Sequence, residues 1–348
     1  MTDLLGLTEE LCGVLSVSGD EAALADLVEA RLRDRASALE LSRIGNNVIA
    51  RTTGARERVV LGGHLDTVPA NGNATPRRDR NTLYGLGATD MKGGLAVMLQ
   101  LAEAITPGGA REVTFVFYDG EEVADEHNGL RRLFAERPDL VAGDLAILME
   151  PTGGWIEAGC QGTIQARATF NGARSHSARP WMGVNAVHRA APLLSRVAAY
   201  DAPTVTVDGL AYRESLQVVR VEAGIANNVV PDRCEIVVNR RYAPACSFDD
   251  ALEQTRALLD GADEIEIVSA SPAAEPNLTP PLIKELIGVG DLGVRPKFGW
   301  TDVARFTQHG VAAVNYGPGD PELAHTAGEC VDGAELDECL RVLTEFVR

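Results

Sequence analysis

No run of apolar residues in this 348-residue chain approaches membrane-spanning length, which excludes a transmembrane helix as its organising element. Its opening, Met1-Thr-Asp-Leu-Leu-Gly-Leu-Thr-Glu-Glu10, lacks both a basic segment and a long apolar stretch and does not read as a secretory signal. Positive charge is scarce: 32 Lys and Arg stand against 50 Asp and Glu, a net charge of −18, so neither nucleic acid nor an anionic membrane is an expected partner. The six cysteines, at positions 12, 160, 234, 246, 330 and 339, include no Cys-x-x-Cys pair. In a chain of this size that spacing predicts reduced thiols and a cytoplasmic location rather than a disulfide framework. Nothing repeats at a fixed period, which argues against a solenoid.

What is present points to an α/β protein with a core large enough for two domains. Several apolar runs of strand character end in side chains that can bind metal. Arg58-Val-Val leads into Leu61-Gly-Gly-His64-Leu-Asp66-Thr-Val-Pro69, and Glu112-Val-Thr-Phe-Val-Phe-Tyr118 ends in Asp119-Gly-Glu121-Glu122. Asp144-Leu-Ala-Ile-Leu-Met149 ends in Glu150-Pro-Thr, and Val311-Ala-Ala-Val-Asn315 leads toward His325. Ligands of open α/β sheets gather beyond the carboxyl ends of the strands.

Asp90 lies in Gly85-Leu-Gly-Ala-Thr-Asp90-Met-Lys-Gly-Gly94, which opens a helix running to about residue 105. Taken alone, Asp90 would be read as a helix cap. The Gly-x-Gly here lacks the third glycine of a dinucleotide-binding turn. Residues 70 to 83 are polar and read as an exposed loop, and residues 3 to 15 and 21 to 35 as helices.

The pattern changes in the middle of the chain. Thr163–Phe170 alternates as a strand, residues 184 to 199 form a helix, Leu216–Val221 and Cys234–Val238 are strands, residues 248 to 259 are helical, and Glu264–Val268 is a last strand. That β-α-β-β-α-β order is the split βαβ arrangement of a ferredoxin-like domain. The expected organisation is a catalytic domain of residues 1–162 and 270–348, α/β/α with a mixed, mostly parallel sheet, interrupted by an inserted domain of residues 163–269.

Two histidines and three carboxylates suit zinc, with cobalt or manganese as substitutes, better than calcium, which prefers oxygen ligands throughout. Five ligands exceed what one tetrahedral zinc needs; with one carboxylate bridging they would hold two ions about 3.5–4 Å apart. A free carboxylate beside such a pair can take a proton from water and pass it to a departing amine. Glu121, next to Glu122, fits that task, and the reaction class is metal-assisted amide hydrolysis.

Taken together, His64-Leu-Asp66-Thr-Val-Pro, Asp90-Met-Lys-Gly-Gly, Glu121-Glu122, Glu150-Pro-Thr, His176 in Gly172-Ala-Arg-Ser-His176-Ser-Ala-Arg179-Pro, and the late His325 resemble the co-catalytic zinc aminoacylase and carboxypeptidase family along essentially the whole chain. The resemblance implies that His64, Asp90 and Glu150 bind one zinc and that Asp90 bridges to a second held by Glu122 and His325. It implies that Asp66 orients His64, that Glu121 is the general base and that the peptide after Asp90 is cis. It further implies a homodimer formed through the inserted domain, with His176 reaching a partner subunit's site to hydrogen-bond the oxyanion. Trp155-Ile-Glu-Ala-Gly-Cys-Gln-Gly162 and Lys297-Phe-Gly-Trp-Thr301-Asp302-Val-Ala-Arg-Phe306 resemble members whose small-molecule substrate carries carboxylates at both ends. Arg179 and Arg241 then match substrate-contacting positions, with Asn228 and Thr301 as hydrogen-bond donors. Gln161 stands where some members have arginine, and Arg179 where some have tyrosine. His127, His188 and His309 match no ligand position and read as surface or packing residues. The rival readings are a sister hydrolase with another acyl pocket and a non-catalytic binding protein that kept the fold.

Overall fold

The computed structural model describes residues 3–106 and 108–348. The chain divides into two compact units: Met1–Ala158 with Asn277–Arg295 and Asp302–Arg348, and Gly159–Pro276 with Pro296–Thr301. The second unit therefore takes in a short segment, Pro296–Thr301, that the sequence reading leaves in the catalytic part.

In the first unit the strands Glu112–Tyr118, Arg58–His64, Leu145–Leu148 and Ala312–Asn315 lie side by side and parallel. On one side Asn47–Arg51 pairs antiparallel with Glu112–Tyr118 and Glu40–Ile44 pairs antiparallel with Asn47–Arg51; on the other Ile156–Ala158 pairs antiparallel with Ala312–Asn315. Every position of Glu112–Tyr118 and of Leu145–Leu148 is buried, as parallel strands covered on both faces must be. Their apolar runs therefore show no two-residue alternation. Because the four central strands run the same way, their carboxyl ends share one edge of the sheet. That edge is where His64, Glu121, Glu122 and Glu150 emerge.

The helix Gly93–Ala104 is buried at Gly93–Leu99, Leu101 and Ala102, and packs among Leu4–Cys12, Ala22–Arg35 and Gly333–Val347. Its start needs glycine. A Cβ on Gly94 would lie 2.4 Å from the Met149 carbonyl oxygen, so only a bare backbone brings this helix against the strand end that carries Glu150. Residues 70 to 83 depart from the expected loop. Arg77–Asp79 and Thr82–Tyr84 form a hairpin, and Cys330–Asp332 pairs with its second strand. The polarity there reflects strands too short to bury a face.

In the second unit Ser215–Ala223, Arg233–Tyr242, Gly162–Asn171 and Glu264–Ser271 form an antiparallel sheet in that order. Ala186–Ala198 packs on it through Ala186, Ala190, Leu193 and Val197 over Ala166, Ala168, Phe170 and Ile236. Asn185 caps this helix by accepting from the N–H groups of Val187 and His188. The hairpin Thr204–Val207 with Leu210–Arg213 was not expected from the sequence; its strands are only four residues each. Ser215–Ala223 is an edge strand, with Val219 and Val221 55% and 50% exposed. No described helix is long and apolar enough to cross a membrane, and all six cysteines are free.

Candidate metal centre

Three groups of ligand-type atoms, each within 4.8 Å of one another, form at the edge of the first unit's sheet: His64, Asp90 and Glu150; Asp90, Glu122 and His325; and His64, Glu121 and Glu122. Asp90 belongs to the first two. Its Oδ1 lies 3.0 Å from His64 Nε2, and its Oδ2 lies 3.4 Å from His325 Nε2. His325 Nε2 is also 2.7 Å from Glu122 Oε1.

His64 ends its strand 1% exposed. Its Nδ1 donates to the Asp66 carbonyl oxygen at 2.9 Å, since a carbonyl only accepts, and this leaves Nε2 aimed at Asp90. The sequence reading gives that orienting task to the Asp66 carboxylate, but its nearest oxygen is 3.6 Å from Nδ1, beyond hydrogen-bond length. The chain leaves extended pairing at His64, so the main chain of residue 66 turns back to the ring. The Asp66 carboxylate is engaged elsewhere. Its Oδ1 accepts the Glu121 N–H at 3.0 Å, and its Oδ2 accepts the Glu122 N–H at 2.9 Å and the Ser18 hydroxyl at 2.7 Å. It thus holds the backbone of Glu121 and of its neighbour.

Asp90 sits in Ala88–Lys92, where its own φ and ψ of −120° and 92° are non-helical, and the Asp90–Met91 peptide is cis. It makes no side-chain cap to the helix that follows, so the capping role does not apply. Met91 Sδ accepts the His64 N–H at 3.3 Å. His325 adopts a left-handed φ of 63°, uncommon for a residue other than glycine and a conformation that costs energy unless its surroundings hold it. Glu329, which the sequence reading does not single out, accepts the N–H groups of Thr89 and Asp90 on Oε1 at 3.1 and 3.0 Å. In the sequence it is one acidic residue among 50, and only its position four residues after His325 could have marked it.

The charges here are unbalanced. Burial works against a proton on His64, yet contacts with Asp66 and Asp90 and the charges of Asp90 and Glu150 raise its pKa well above the usual value. Hydrogen bonds to Asp90 and Glu122 push His325 up to about 10. Burial would raise Asp66, but contact with His64 and the two N–H donors hold it at about 2. Burial pushes Glu121 well up; His64 opposes this, and Glu150, Glu122 and Asp302 reinforce it. Surplus carboxylate charge thus holds protons on both imidazoles. A divalent cation would take the place of those protons, and the nitrogen and oxygen donors suit zinc-type ions. The residues present fit a metal.

The remaining candidate residues lie in the second unit and fall into two groups. His176 pairs backbone with Val229, the Ser177 N–H donates to the Asn228 carbonyl at 2.9 Å, and the Arg179 N–H donates to the His176 carbonyl at 2.8 Å. The side chains of His176, Arg179 and Asn228 belong to exposed residues. Arg241 and Thr301 gather instead around buried Cys160, whose thiol lies 3.8 Å from the Thr301 carbonyl oxygen and close enough to Arg241 to act on its charge. Burial lowers the Arg241 pKa, and no described carboxylate lies within 4 Å of its guanidinium. Gln161 is taken up by the Arg213 carbonyl at 2.7 Å. His309 stacks on Phe134 with ring centroids 4.0 Å apart, a packing role, and His127 and His188 are exposed.

Residues 60–348 match the family model for peptidase family M20/M25/M40. The chain is 46% identical over 353 residues to a Mycobacterium tuberculosis protein provisionally named succinyl-diaminopimelate desuccinylase, covering 100% of this chain and 99% of that one. It is 43% identical over 358 residues to the succinyl-diaminopimelate desuccinylase of Corynebacterium glutamicum, covering 99% and 97%. Among solved structures, a tripeptidase from Staphylococcus aureus superposes with a TM-score of 0.82 at 21% identity, covering 99% of this chain and 97% of its own. An M20 family metallo-carboxypeptidase from Sulfolobus solfataricus does so at 0.81 and 16%, covering 100% and 99%; at these identities both speak to the fold. The chain belongs to the M20/M25/M40 peptidase family.

Proposed function

We propose that this chain hydrolyses N-succinyl-LL-2,6-diaminopimelate to succinate and LL-2,6-diaminopimelate, in the cytoplasm, as a homodimer that uses two zinc ions per subunit. The observation that carries the reading is identity of 43–46% over essentially the full chain to proteins named for that activity. The two ligand groups sharing Asp90 support it. His64, Asp90 and Glu150 would hold one ion and Asp90, Glu122 and His325 the other. When bound there, the ions supply a nucleophile from water at neutral pH and withdraw charge from the scissile carbonyl.

The chain's own residues supply the rest. Glu121, kept proton-avid by burial, takes the proton of the attacking water and delivers it to the amine nitrogen as the C–N bond breaks. Asp66 holds the Glu121 and Glu122 backbone still while this happens. Arg241, half buried and without a carboxylate partner among the described residues, is assigned to one substrate carboxylate, with Arg179 for the other and Asn228 and Thr301 as hydrogen-bond donors. His176, from a partner subunit, donates to the oxyanion of the tetrahedral intermediate. The exposed edge strand Ser215–Ala223, with Val219 and Val221 in solvent and Ile225 exposed just beyond its end, supports pairing with a second copy, because such an edge is a template for strand addition.

Turnover of N-succinyl-LL-2,6-diaminopimelate and N-acetylornithine tests the substrate directly. Higher kcat/KM on the succinyl compound is the expected result. Faster cleavage of acetylornithine would make the chain a sister deacetylase.

A further inference from the structure

We propose that Glu329 is a positioning residue for Asp90, fixing the shared carboxylate between the two ligand groups. This rests on the reading of the site as a metal centre.

Asp90 and Met91 depart from helical φ and ψ, which interrupts the regular helical ladder here and leaves N–H groups that need other acceptors. Glu329 Oε1 supplies one acceptor to two of them, Thr89 N–H at 3.1 Å and Asp90 N–H at 3.0 Å. Glu329 is itself 1% exposed and anchored by its backbone. Its carbonyl accepts the Gly85 N–H at 3.1 Å, and the strand that follows it, Cys330–Asp332, pairs with Thr82–Tyr84. The Thr89 hydroxyl donates to the Cys330 carbonyl, adding a second tie between the two segments. The direction of Asp90 Oδ1 and Oδ2 toward His64 and His325 is therefore set from Glu329.

Asp66 provides an internal parallel. It too is a buried carboxylate outside the two ligand groups that share Asp90, and it too accepts two consecutive backbone N–H groups, those of Glu121 and Glu122. Each ion site thus has ligands whose main chain is clamped by a carboxylate that does not itself ligate. Glu329 has a further geometric consequence, because His325 stands four residues before it in the same loop. The segments that carry Asp90 and His325, proposed ligands of one ion, are thus joined in part through this side chain.

The test compares two variants of the full-length protein, Glu329→Gln and Glu329→Asp. Glutamine keeps the reach and the Oε1 acceptor but loses the charge. Aspartate keeps the charge but withdraws it by one methylene from both N–H groups. Zinc affinity is measured by competition with a chromogenic chelator, alongside kcat, KM and thermal unfolding. Positioning predicts that Glu329→Asp weakens zinc binding by about 10–100-fold, the range for partners that orient a ligand, and lowers kcat more than it changes KM. Glu329→Gln stays within about fivefold of wild type in both. The inference is overturned if the aspartate variant binds zinc as wild type does, if glutamine is the more damaging change, or if the glutamine variant does not fold. A purely structural role would lower the unfolding temperature of both variants and leave zinc affinity of the folded protein unchanged, which also overturns it. Should wild type itself bind no zinc, the metal-centre reading fails first and the inference with it.

Discussion

In the first unit His64 is 1% exposed, Glu150 5% and Glu329 1%, and the main chain of Asp90, Glu121 and Glu122 is held by hydrogen bonds to buried carboxylates. In the second, His176, Arg179 and Asn228 lie in exposed turns held by backbone pairing and by the Ala178 N–H donating to His176 Nδ1 at 3.0 Å, and Arg241 has no carboxylate partner among the described residues. On the proposed reading of the site, the difference separates two tasks. Groups that hold an ion must be in place before it arrives, because small displacements cost affinity and rate. His176, Arg179 and Asn228, proposed for the substrate and its oxyanion, are instead left exposed, where a ligand can reach them.

The comparison can be broken from either side. The largest effect is expected from the first unit: Glu121→Gln should lower kcat by at least about 10²–10⁴-fold while zinc content by elemental analysis stays that of wild type. Retained activity would remove Glu121 as the base. In the second unit, Arg241→Met should raise KM by about 10–100-fold, the worth of a charged hydrogen-bonded pair, without altering zinc content. An unchanged KM would show that Arg241 does not meet a substrate carboxylate.

The proposed sharing of His176 between subunits has its own signature. Glu121→Gln and His176→Ala proteins, each inactive alone, should recover about a quarter of wild-type activity after mixing and subunit exchange, because half of randomly paired dimers regain one intact site. No recovery, with exchange verified by mass spectrometry, would confine His176 to its own chain.

Two smaller effects sharpen the picture of the first unit. In metal-free protein His325 is pushed up to about 10 by Asp90 and Glu122. Its folded pKa lies above the ordinary value near 6.5, so the folded state binds the extra proton between those limits. The stabilisation is fully present below about pH 6.5 and is lost as pH rises through about 10. Since His325 is half exposed, solvent screens most of it. The difference in urea midpoint between the chelated wild type and His325→Gln should shrink from pH 6 to pH 10; a constant difference would contradict the charge balance described above. Smallest of all, Ser18→Ala removes one of three donors to Asp66 and should lower kcat severalfold with KM unchanged. A change in KM alone would place Ser18 on the substrate instead.

How much of this was legible in the sequence follows from the same contrast. Strands buried on both faces, such as Glu112–Tyr118, read as continuous apolar runs, and polar residues directly after them stand out by position. That is why His64, Glu121, Glu122, Glu150 and His325 could be named, and why the β-α-β-β-α-β order in the second unit could be read from alternation and helical periodicity. Contacts made by main chain were invisible. The Asp66 carbonyl that orients His64 belongs to a group every residue possesses, and the role of Glu329 depends on strand pairing between residues 82–84 and 330–332, some 250 positions apart. Short elements escaped for a related reason. Arg77–Asp79 and Leu210–Arg213 hold too few residues to express a period, and the polar residues of the first look like loop.

The most direct test of the account is the anomalous scattering signal from crystals grown with zinc, collected on both sides of the zinc absorption edge. The account predicts two peaks per subunit, one about 2.0–2.2 Å from donor atoms of His64, Asp90 and Glu150, the other at that distance from Asp90, Glu122 and His325. A map with no peak among these residues at saturating zinc, or with both ions bound elsewhere, would contradict it.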